Sequence, residues 1–381
     1  MTLKTKTYQR IAIALVFFIN GFASGNWATR LPEIQTNLGI DNATLGSALL
    51  FASVGSIFAM PFTGWLTVQY GSRNISIFSS ISFSIAFVLM PFIHSVWVLR
   101  GVFFIIGAMN GSLDVAMNSQ AVVVEKAYGR PIMSSFHAVF SGGMMIGAWS
   151  SSLFTACHSS LSVHFFSIAV FNLMLLFWAV RHFIKDKPTK EDDGDAPLFR
   201  LPNKALAAFG LIAFCCMLGE GSMADWSAIY IHKSLGASLA LAPLGVGAFS
   251  MAMLLGRSIG DKVIERYGYR DVLIVSSLIS AVGLLAALSV EQVYVAISGF
   301  FIVELGLATI VPICYSRAGN TEGISPSVGL AMVTTVGYAG FLFGPPIIGY
   351  LADWQSLRIA LYFVVGLFGL SAVLALRLKR V

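Results

Sequence analysis

Long apolar runs, separated by short polar connections, fill almost the whole of this 381-residue chain. Each run reaches the roughly 20 residues that an α-helix needs to cross a bilayer core of about 30 Å. The pattern therefore predicts twelve membrane-spanning helices. They lie near residues 11–32, 44–68, 75–97, 100–126, 132–157, 161–183, 205–231, 240–265, 271–290, 293–317, 326–352 and 356–377.

A single long polar stretch, residues 184–204, interrupts this pattern. Its proline, glycine and mixed charges are typical of a flexible linker. Six predicted helices precede the stretch and six follow it. We therefore expect an all-α membrane protein built from two six-helix bundles, residues 1–183 and 205–381, joined by a cytoplasmic linker.

The second half of the chain repeats the first at a constant offset of 197 residues. The offset pairs Leu38-Gly39 with Leu235-Gly236, Tyr70-Gly71 with Tyr267-Gly268, and Gly143 and Gly147 with Gly340 and Gly344. Repeated blocks of apolar helices are how many transporters build a central site between two halves. The glycines four residues apart permit close helix approach, either as ordinary packing or as sliding helices where the halves meet.

Composition and charge agree with a membrane protein and exclude a soluble one. Hydrophobic residues make up 57% and charged residues only 11% of the chain, whereas soluble domains carry about 25% charged residues. If the N-terminus is cytoplasmic, most of the 24 Lys and Arg residues lie in or beside cytoplasmic segments. The net charge of +6 thus reflects orientation in an inner membrane, with both termini cytoplasmic, rather than nucleic-acid binding.

Ionisable residues near the bilayer centre are the main candidates for chemistry, because each costs at least ~2.5–3.5 kcal/mol to insert. Asp114, Glu220 and Glu304 lie near the middle of predicted helices, and Asp225 lies about 7.5 Å further outward than Glu220. We expect these acids to carry protons. The alternatives are a structural hydrogen bond for Asp114, a helix cap for Asp225 and a pair with a cation for Glu304.

Hydrogen-bonding and aromatic side chains nearby are candidates for contact with a solute. The set comprises Asn26, Trp27, Asn118, His137, Trp226 and Tyr230. Asn118 lies four residues after Asp114 and so shares its helix face. An aromatic belt at the membrane interface explains Trp226 and Tyr230 equally well, and a plain hydrogen bond explains His137.

Other charged and polar residues have simpler interpretations. Arg30 and Glu33 can pair with each other at an exposed helix end, and Arg257 and Asp261 can form a structural or gating pair within one helix. The remaining histidines carry no pattern. The four cysteines fall in apolar spans without metal or disulfide spacing, so we expect no metal and no cofactor.

The two halves, the central linker and the loops after the second helix of each half resemble the major facilitator superfamily. Its loop signature, Gly-x-x-x-Asp-Arg-x-Gly-Arg-Arg, is degraded in the first copy, which runs from Gly64 to Arg73 and lacks the acid and the first base. The second copy, from Asp261 to Arg270, keeps Glu265-Arg266. The resemblance implies a cytoplasmic gate, for which Arg73, Asp261, Glu265 and Arg266 are candidates; Arg257 joins them through its possible gating pair with Asp261.

A narrower resemblance rests on the segments Asn26–Pro32, Leu113–Asn118 and Gly219–Trp226, together with Gly344-Pro345-Pro346. These are similar to YbjJ-type inner-membrane transporters, which are related to the fucose permeases. The resemblance places Asp114 and Asn118 at the positions of an acid and an asparagine implicated in proton coupling and sugar binding. Ala28 replaces another acid of the permeases, so the full proton relay is not implied.

Three functional hypotheses follow from these observations. The first is proton-coupled transport of a small polar solute, such as a sugar, by alternating access in a monomer. The second is proton-driven efflux of drugs or metabolites, which an apolar cavity lined by Phe and Met would favour. The third is a membrane sensor that binds a ligand without moving it. No nucleophile–base set or metal site indicates an enzyme.

Overall fold

The computed structural model of the chain describes residues 3–129, 132–185, 206–321 and 326–378. Within these ranges all regular structure is helical, which confirms the all-α fold class. The α-helices are α1 (Leu3–Leu38), α2 (Asn42–Tyr70), α3 (Ser72–Ala86), α4 (Val96–Tyr128), α5 (Met133–Ala156), α6 (Leu161–Ala179), α7 (Ala207–Ile229), α8 (Pro243–Tyr267), α9 (Tyr269–Ser289), α10 (Val293–Leu307), α11 (Ile310–Gly319), α12 (Pro326–Trp354) and α13 (Leu357–Leu376).

The helices follow the predicted spans closely, except that one predicted span is divided into two helices. Ten helical stretches in the described ranges are long and apolar enough to cross a membrane. The other two predicted spans correspond to α5, which is rich in serine and glycine, and α8, which carries several charges. The predicted span 293–317 consists of α10 and α11, because Pro312 lacks the N–H that would bond to residue 308 and its ring crowds that carbonyl.

The described residues divide into two compact units. The first contains α1, most of α2 and α3 to α6, and the second contains α7 to α13 together with residues 41–46. Of the predicted linker, only Ile184 and Lys185 lie in the described ranges, and the Ile184 N–H donates to Gln120 Oε1 at 2.9 Å. The exact bundle boundaries therefore stay a prediction.

A carboxylate of α12 contacts the first turn of α2, which groups with the second unit. Asp353 of α12 accepts hydrogen bonds from the N–H groups of Asn42 at 3.0 Å and Ala43 at 2.7 Å. Asp41 accepts from the N–H of Thr44 at 2.8 Å, and hydrogen bonds from the Thr44 side chain and backbone lower the pKa of the Asp41 carboxyl. Both acids satisfy amide groups that a helix start leaves unpaired.

The sequence repeat is also present in the backbone. Gly39 (φ 61°) and Gly236 (φ 68°) both adopt the left-handed region at corresponding positions. Gly71 (φ 82°) and Gly268 (φ 77°) form a second matching pair, one in each copy of the loop motif. Residues with a side chain rarely adopt this conformation, so the repeated glycines mark repeated turns.

Glycines let helices of the same unit approach to backbone contact. A Cβ on Gly143 of α5 would lie 2.5 Å from the Phe18 carbonyl oxygen of α1, and one on Gly147 would lie 2.3 Å from that of Phe22. In the second unit, a Cβ on Gly340 of α12 would lie 2.6 Å from the Phe214 carbonyl oxygen of α7. The predicted glycine pairs therefore serve close packing within each unit.

The neighbouring glycines Gly142 and Gly143 provide a matched test of this packing. We expect Gly143→Val to lower the free energy of unfolding by about 1–3 kcal/mol, because the added side chain overpacks the contact with α1. Gly142→Val should have little effect, since nothing lies within 4 Å of a Cβ at that position. Denaturant unfolding of the purified proteins in detergent measures the difference, and equal losses would contradict the packing role of Gly143.

A buried polar network ties α1 to α5 and α6 in the first unit. Arg30 Nε donates to Nδ1 of His164 at 2.9 Å, and Nε2 of His164 lies 2.7 Å from Oδ1 of Asn26. Asn26 also accepts from Ser150 Oγ at 3.0 Å. Arg30 forms the expected ion pair with Glu33, yet it is only 2% exposed, so the expectation of an exposed helix end was wrong.

The donors and acceptors of this network fix the state of His164. Because Arg30 Nε can only donate, Nδ1 of His164 must accept and carry no proton. Nε2 therefore holds the hydrogen and donates to the Asn26 oxygen, while Asn26 Nδ2 donates to the Phe22 carbonyl at 2.8 Å. His164 is thus a neutral link between a buried cation and an amide, a role that the sequence did not indicate.

Replacing His164 should be costly because it leaves the Arg30 Nε–H without its partner. We expect His164→Leu to lower the free energy of unfolding by about 1.5–3 kcal/mol, the range for hydrogen bonds to charged groups. His94→Leu is the control, since His94 is exposed. A thermal-unfolding midpoint for His164→Leu equal to that of His94→Leu would show that the network contributes nothing.

Candidate functional site

In the second unit an ion pair joins two neighbouring helices. Arg257 of α8 lies 3.8 Å from a carboxylate oxygen of Glu220 of α7, and both side chains are partly exposed. The sequence predicted a pair between Arg257 and Asp261, but the side chain of Asp261 lies outside the described residues. Among the described acids, Glu220 is therefore the partner of Arg257.

Glu304 of α10 is completely buried, and neither of its carboxylate oxygens has a hydrogen-bond partner. Glu220 and Arg257 lie close enough to interact with it electrostatically. Arg257 is thus near two acids, one of which it contacts directly. The three residues define the acid–arginine cluster of the second unit.

The break between α10 and α11 lies one helical turn beyond Glu304. The Ala308 N–H still bonds to the Glu304 carbonyl at 2.9 Å, after which Thr309 leaves the helix and its hydroxyl lies 3.2 Å from that of Ser276. Transporters build binding sites from such discontinuous helices, because the break frees backbone polar groups inside the protein. The break therefore adds polar backbone to the neighbourhood of the cluster.

Three further predicted site residues lie beyond Glu220 towards the end of α7. Asp225 is half-buried, and none of the described residues donates a hydrogen bond to its carboxylate. Trp226 and Tyr230 are fully buried, and the Tyr230 ring packs edge-on against Phe300. The Trp226 indole N–H has no hydrogen-bond partner. A solute can reach these two aromatic rings only if they become exposed in another conformation.

In the first unit, α4 carries a polar stripe. Asn118 Nδ2 donates to Asp114 Oδ1 at 3.1 Å and to the Asp114 carbonyl at 2.8 Å. Both side chains are half-buried. Asn110, four residues before Asp114, extends the stripe, and its buried side-chain oxygen has no hydrogen-bond partner. The sequence analysis missed Asn110, although its spacing from Asp114 repeats the spacing from Asp114 to Asn118.

Helices α1 and α5 contribute the remaining candidates of the first unit. Trp27 is half-buried and packs edge-on against Phe103 of α4, and its indole N–H is unpartnered. His137 packs edge-on against Phe17. Asn26 is completely buried in the network with His164, so its side-chain groups are occupied by protein. Trp27 thus offers an unused donor, whereas Asn26 offers none.

Three of the proposed gate residues, Arg73, Glu265 and Arg266, lie at helix ends. Arg73 is in the first turn of α3 and is half-buried. Glu265 and Arg266 are exposed at the end of α8, and the Arg266 guanidinium lies 5.5 Å from the centre of the Tyr267 ring. Across the described ranges, no three His, Cys, Asp or Glu side chains are grouped as a metal site would require.

Comparison with known proteins agrees with this architecture. A family model described as Major Facilitator Superfamily matches residues 13–254 and 209–381. An uncharacterized MFS-type transporter of Yersinia pestis is 35% identical over 97% of this chain and 93% of its own length. An uncharacterized transporter of Sinorhizobium fredii is 33% identical over 97% of each chain.

Among solved structures, a mutant form of the nucleoside transporter NupG has the same fold. It superposes with a TM-score of 0.80 at 13% sequence identity, covering 97% of this chain and 99% of that one. The apolar helices and the family match together make the chain a multi-pass membrane protein. The chain belongs to the major facilitator superfamily, whose members are transporters rather than enzymes.

Proposed function

We propose that this secondary transporter moves a small polar solute, of the sugar class, together with protons across the cell inner membrane. The observation that carries the proposal is Glu304, a carboxyl group buried among apolar helices with no hydrogen-bond partner. Acids at membrane depth are costly and mark proton or solute pathways. In this proposal, alternating access couples proton binding at the acid–arginine cluster to solute binding at the polar stripe of α4.

The charge balance of the acid–arginine cluster argues for a proton on Glu304. Arg257 and Glu220 already compensate each other at 3.8 Å. An ionised Glu304 would add an uncompensated negative charge inside the unit, at a cost of several kcal/mol. A proton removes this cost. If the pair between Glu220 and Arg257 opens during the transport cycle, Arg257 becomes available to Glu304, which can then release its proton.

The polar stripe of α4 supplies the solute contacts in this proposal. The side-chain oxygens of Asn110 and Asn118 can accept hydrogen bonds from a ligand with several hydroxyl groups, whereas the Asn118 amide hydrogens already bond to Asp114. The Trp27 ring lies on the neighbouring helix with a free donor. Asp114 and Asn118 also occupy the positions of the acid and the asparagine of the fucose permeases. We therefore infer that the chain is related to the YbjJ-type transporters and shares the solute class of the fucose permeases.

Orientation and gating complete the proposal. We infer from the positive-inside rule that both termini and the linker are cytoplasmic. Arg73, Glu265 and Arg266 would then lie at the cytoplasmic ends of their helices, where they can form and break contacts as the cytoplasmic side closes and opens. We infer that a single chain carries out the complete cycle.

We expect Glu304→Gln to abolish uptake driven by a pH gradient, because glutamine cannot exchange a proton. Exchange of labelled for unlabelled solute, which needs no net proton movement, should continue. The assay uses proteoliposomes with an imposed pH gradient and a panel of radiolabelled hexoses, polyols and cationic drugs. Glu291→Gln is the matched control, since Glu291 is exposed and pairs with Arg358.

Three outcomes of this assay would count against the proposal. Undiminished gradient-driven uptake by Glu304→Gln would remove this residue from proton coupling. Transport restricted to cationic drugs would favour efflux over solute uptake. Binding of a compound without any flux in the unaltered protein would favour a sensor.

We expect Asn118→Leu to raise the KM for a transported hexose about tenfold, because one hydrogen bond to the solute worth about 1.4 kcal/mol is lost. The adjacent Ser119→Ala is the control, since the Ser119 hydroxyl bonds to the Val115 carbonyl of its own helix at 2.8 Å. Initial rates of uptake into proteoliposomes give both constants. An unchanged KM would exclude Asn118 from the solute site.

A further inference from the structure

A groove runs along the second unit between α8, α9 and α10. Its volume is about 360 Å³, which lies within the range of small-molecule sites. The groove is almost wholly apolar and combines small residues at its floor with aliphatic side chains at its walls. Residues that line it include Gly260, Val263, Tyr267, Val275, Ile279 and Leu305.

The wall residues of this groove lie on the surface of the second unit. Ile259 is 52% exposed and Val275 is 53% exposed, although both are aliphatic. From Gly256 to Tyr267 the lining of α8 extends over twelve residues, or about 16.5 Å for eleven steps of 1.5 Å. One leaflet of a bilayer core is about 15 Å thick. The groove therefore has the length of the apolar part of one leaflet.

Basic side chains border one end of the groove. Lys262 and Arg266 follow the lining residue Ile259 by three and seven residues, so both lie on its side of α8, at one flank of the groove. Glu265 lies on the opposite side of the helix, since a helix advances roughly 100° per residue. Asp271 lines the same end, so the two cations exceed the bordering acid by one charge. A phosphodiester carries one negative charge and complements this excess.

Arg270 does not belong to this basic end. Its guanidinium donates to the Leu376 carbonyl at 2.8 Å and is thereby held against the end of α13. Lys262 is exposed, and Arg266 is exposed with its guanidinium over the Tyr267 ring. The charge that can meet a ligand at the groove therefore comes from α8. A lysine–arginine pair beside an apolar groove is a pattern suited to lipid head groups.

We propose that the groove binds one glycerophospholipid of the surrounding leaflet, with an acyl chain along α8 and α9 and its phosphate at Lys262 and Arg266. This site is distinct from the acid–arginine cluster and does not depend on the identity of the transported solute. The lipid would fill the groove above the close contacts of Gly256 with Ala308 and of Gly260 with Thr309, where an added Cβ would lie 2.6 and 2.8 Å from those side chains. It would differ from the general lipid shell by remaining bound when detergent replaces that shell.

Native mass spectrometry of the purified, delipidated full-length chain tests the site with two probes. The probes are phosphatidylglycerol and a diacylglycerol with the same acyl chains but no phosphate. We expect one phosphatidylglycerol to bind, and Val275→Trp to weaken its binding at least about tenfold by filling the groove. Val282→Trp is the matched control, because Val282 lies on the same face of α9, is 62% exposed and does not line the groove.

The head-group contact is tested by the double variant Lys262→Gln and Arg266→Gln. It should weaken phosphatidylglycerol binding about tenfold and leave diacylglycerol binding unchanged. Lys126→Gln, at the exposed end of α4, is the control for loss of a basic charge. Equal binding by Val275→Trp and Val282→Trp would overturn the site. Equal binding of both probes to the unaltered protein would overturn the role of the phosphate.

Discussion

Lipid offers the backbone no hydrogen bonds, and the rest of the structure depends on this constraint. Helices satisfy their own amide and carbonyl groups, so the apolar runs of the sequence form them from end to end. Lipid also removes the hydrophobic gain from helix association, and close van der Waals packing must replace it. The contact of Gly143 with the Phe18 carbonyl, and that of Gly340 with the Phe214 carbonyl, shows the same solution in each unit.

The same constraint makes every polar side chain inside a unit expensive, so most of them are paired. The network of Arg30, His164 and Asn26 pairs a buried cation with neutral groups as well as with an acid. Glu220 and Arg257 compensate each other across two helices. Glu304 departs from this rule, because its oxygens have no partner. Among the described acids of this unit, Glu304 combines complete burial with two unpartnered oxygens, which makes it the strongest indication of function.

Features that depend on neighbouring positions in the chain could be predicted from the sequence. Apolar run length predicted the helices, and the repeat predicted matching turns at Gly71 and Gly268. Features that depend on helix packing could not be predicted. Arg30 and His164 are 134 residues apart and meet only because α1 packs against α6. Pro312 was visible in the sequence, but the membrane span around it concealed the break between α10 and α11.

The acids do not obey the repeat, and packing in the first unit explains why. Glu304 corresponds to Gly107 at the offset of 197 residues. A Cβ on Gly107 would lie 1.9 Å from the Ala52 carbonyl oxygen, so the backbones of α4 and α2 leave no room there for a carboxylate.

Glu220 corresponds to Ala23, which is completely buried between two glycines that pack α1 against α5. The positions of the acids in the second unit are therefore positions of close helix packing in the first unit. Asp114 is an acid of the first unit without an acidic counterpart in the second. Its counterpart Val311 lies beside Pro312 at the start of α11, just after the break between α10 and α11. The positions that carry acids in one unit are thus occupied by packing residues or by a helix break in the other, so the repeated scaffold carries charges that are not repeated.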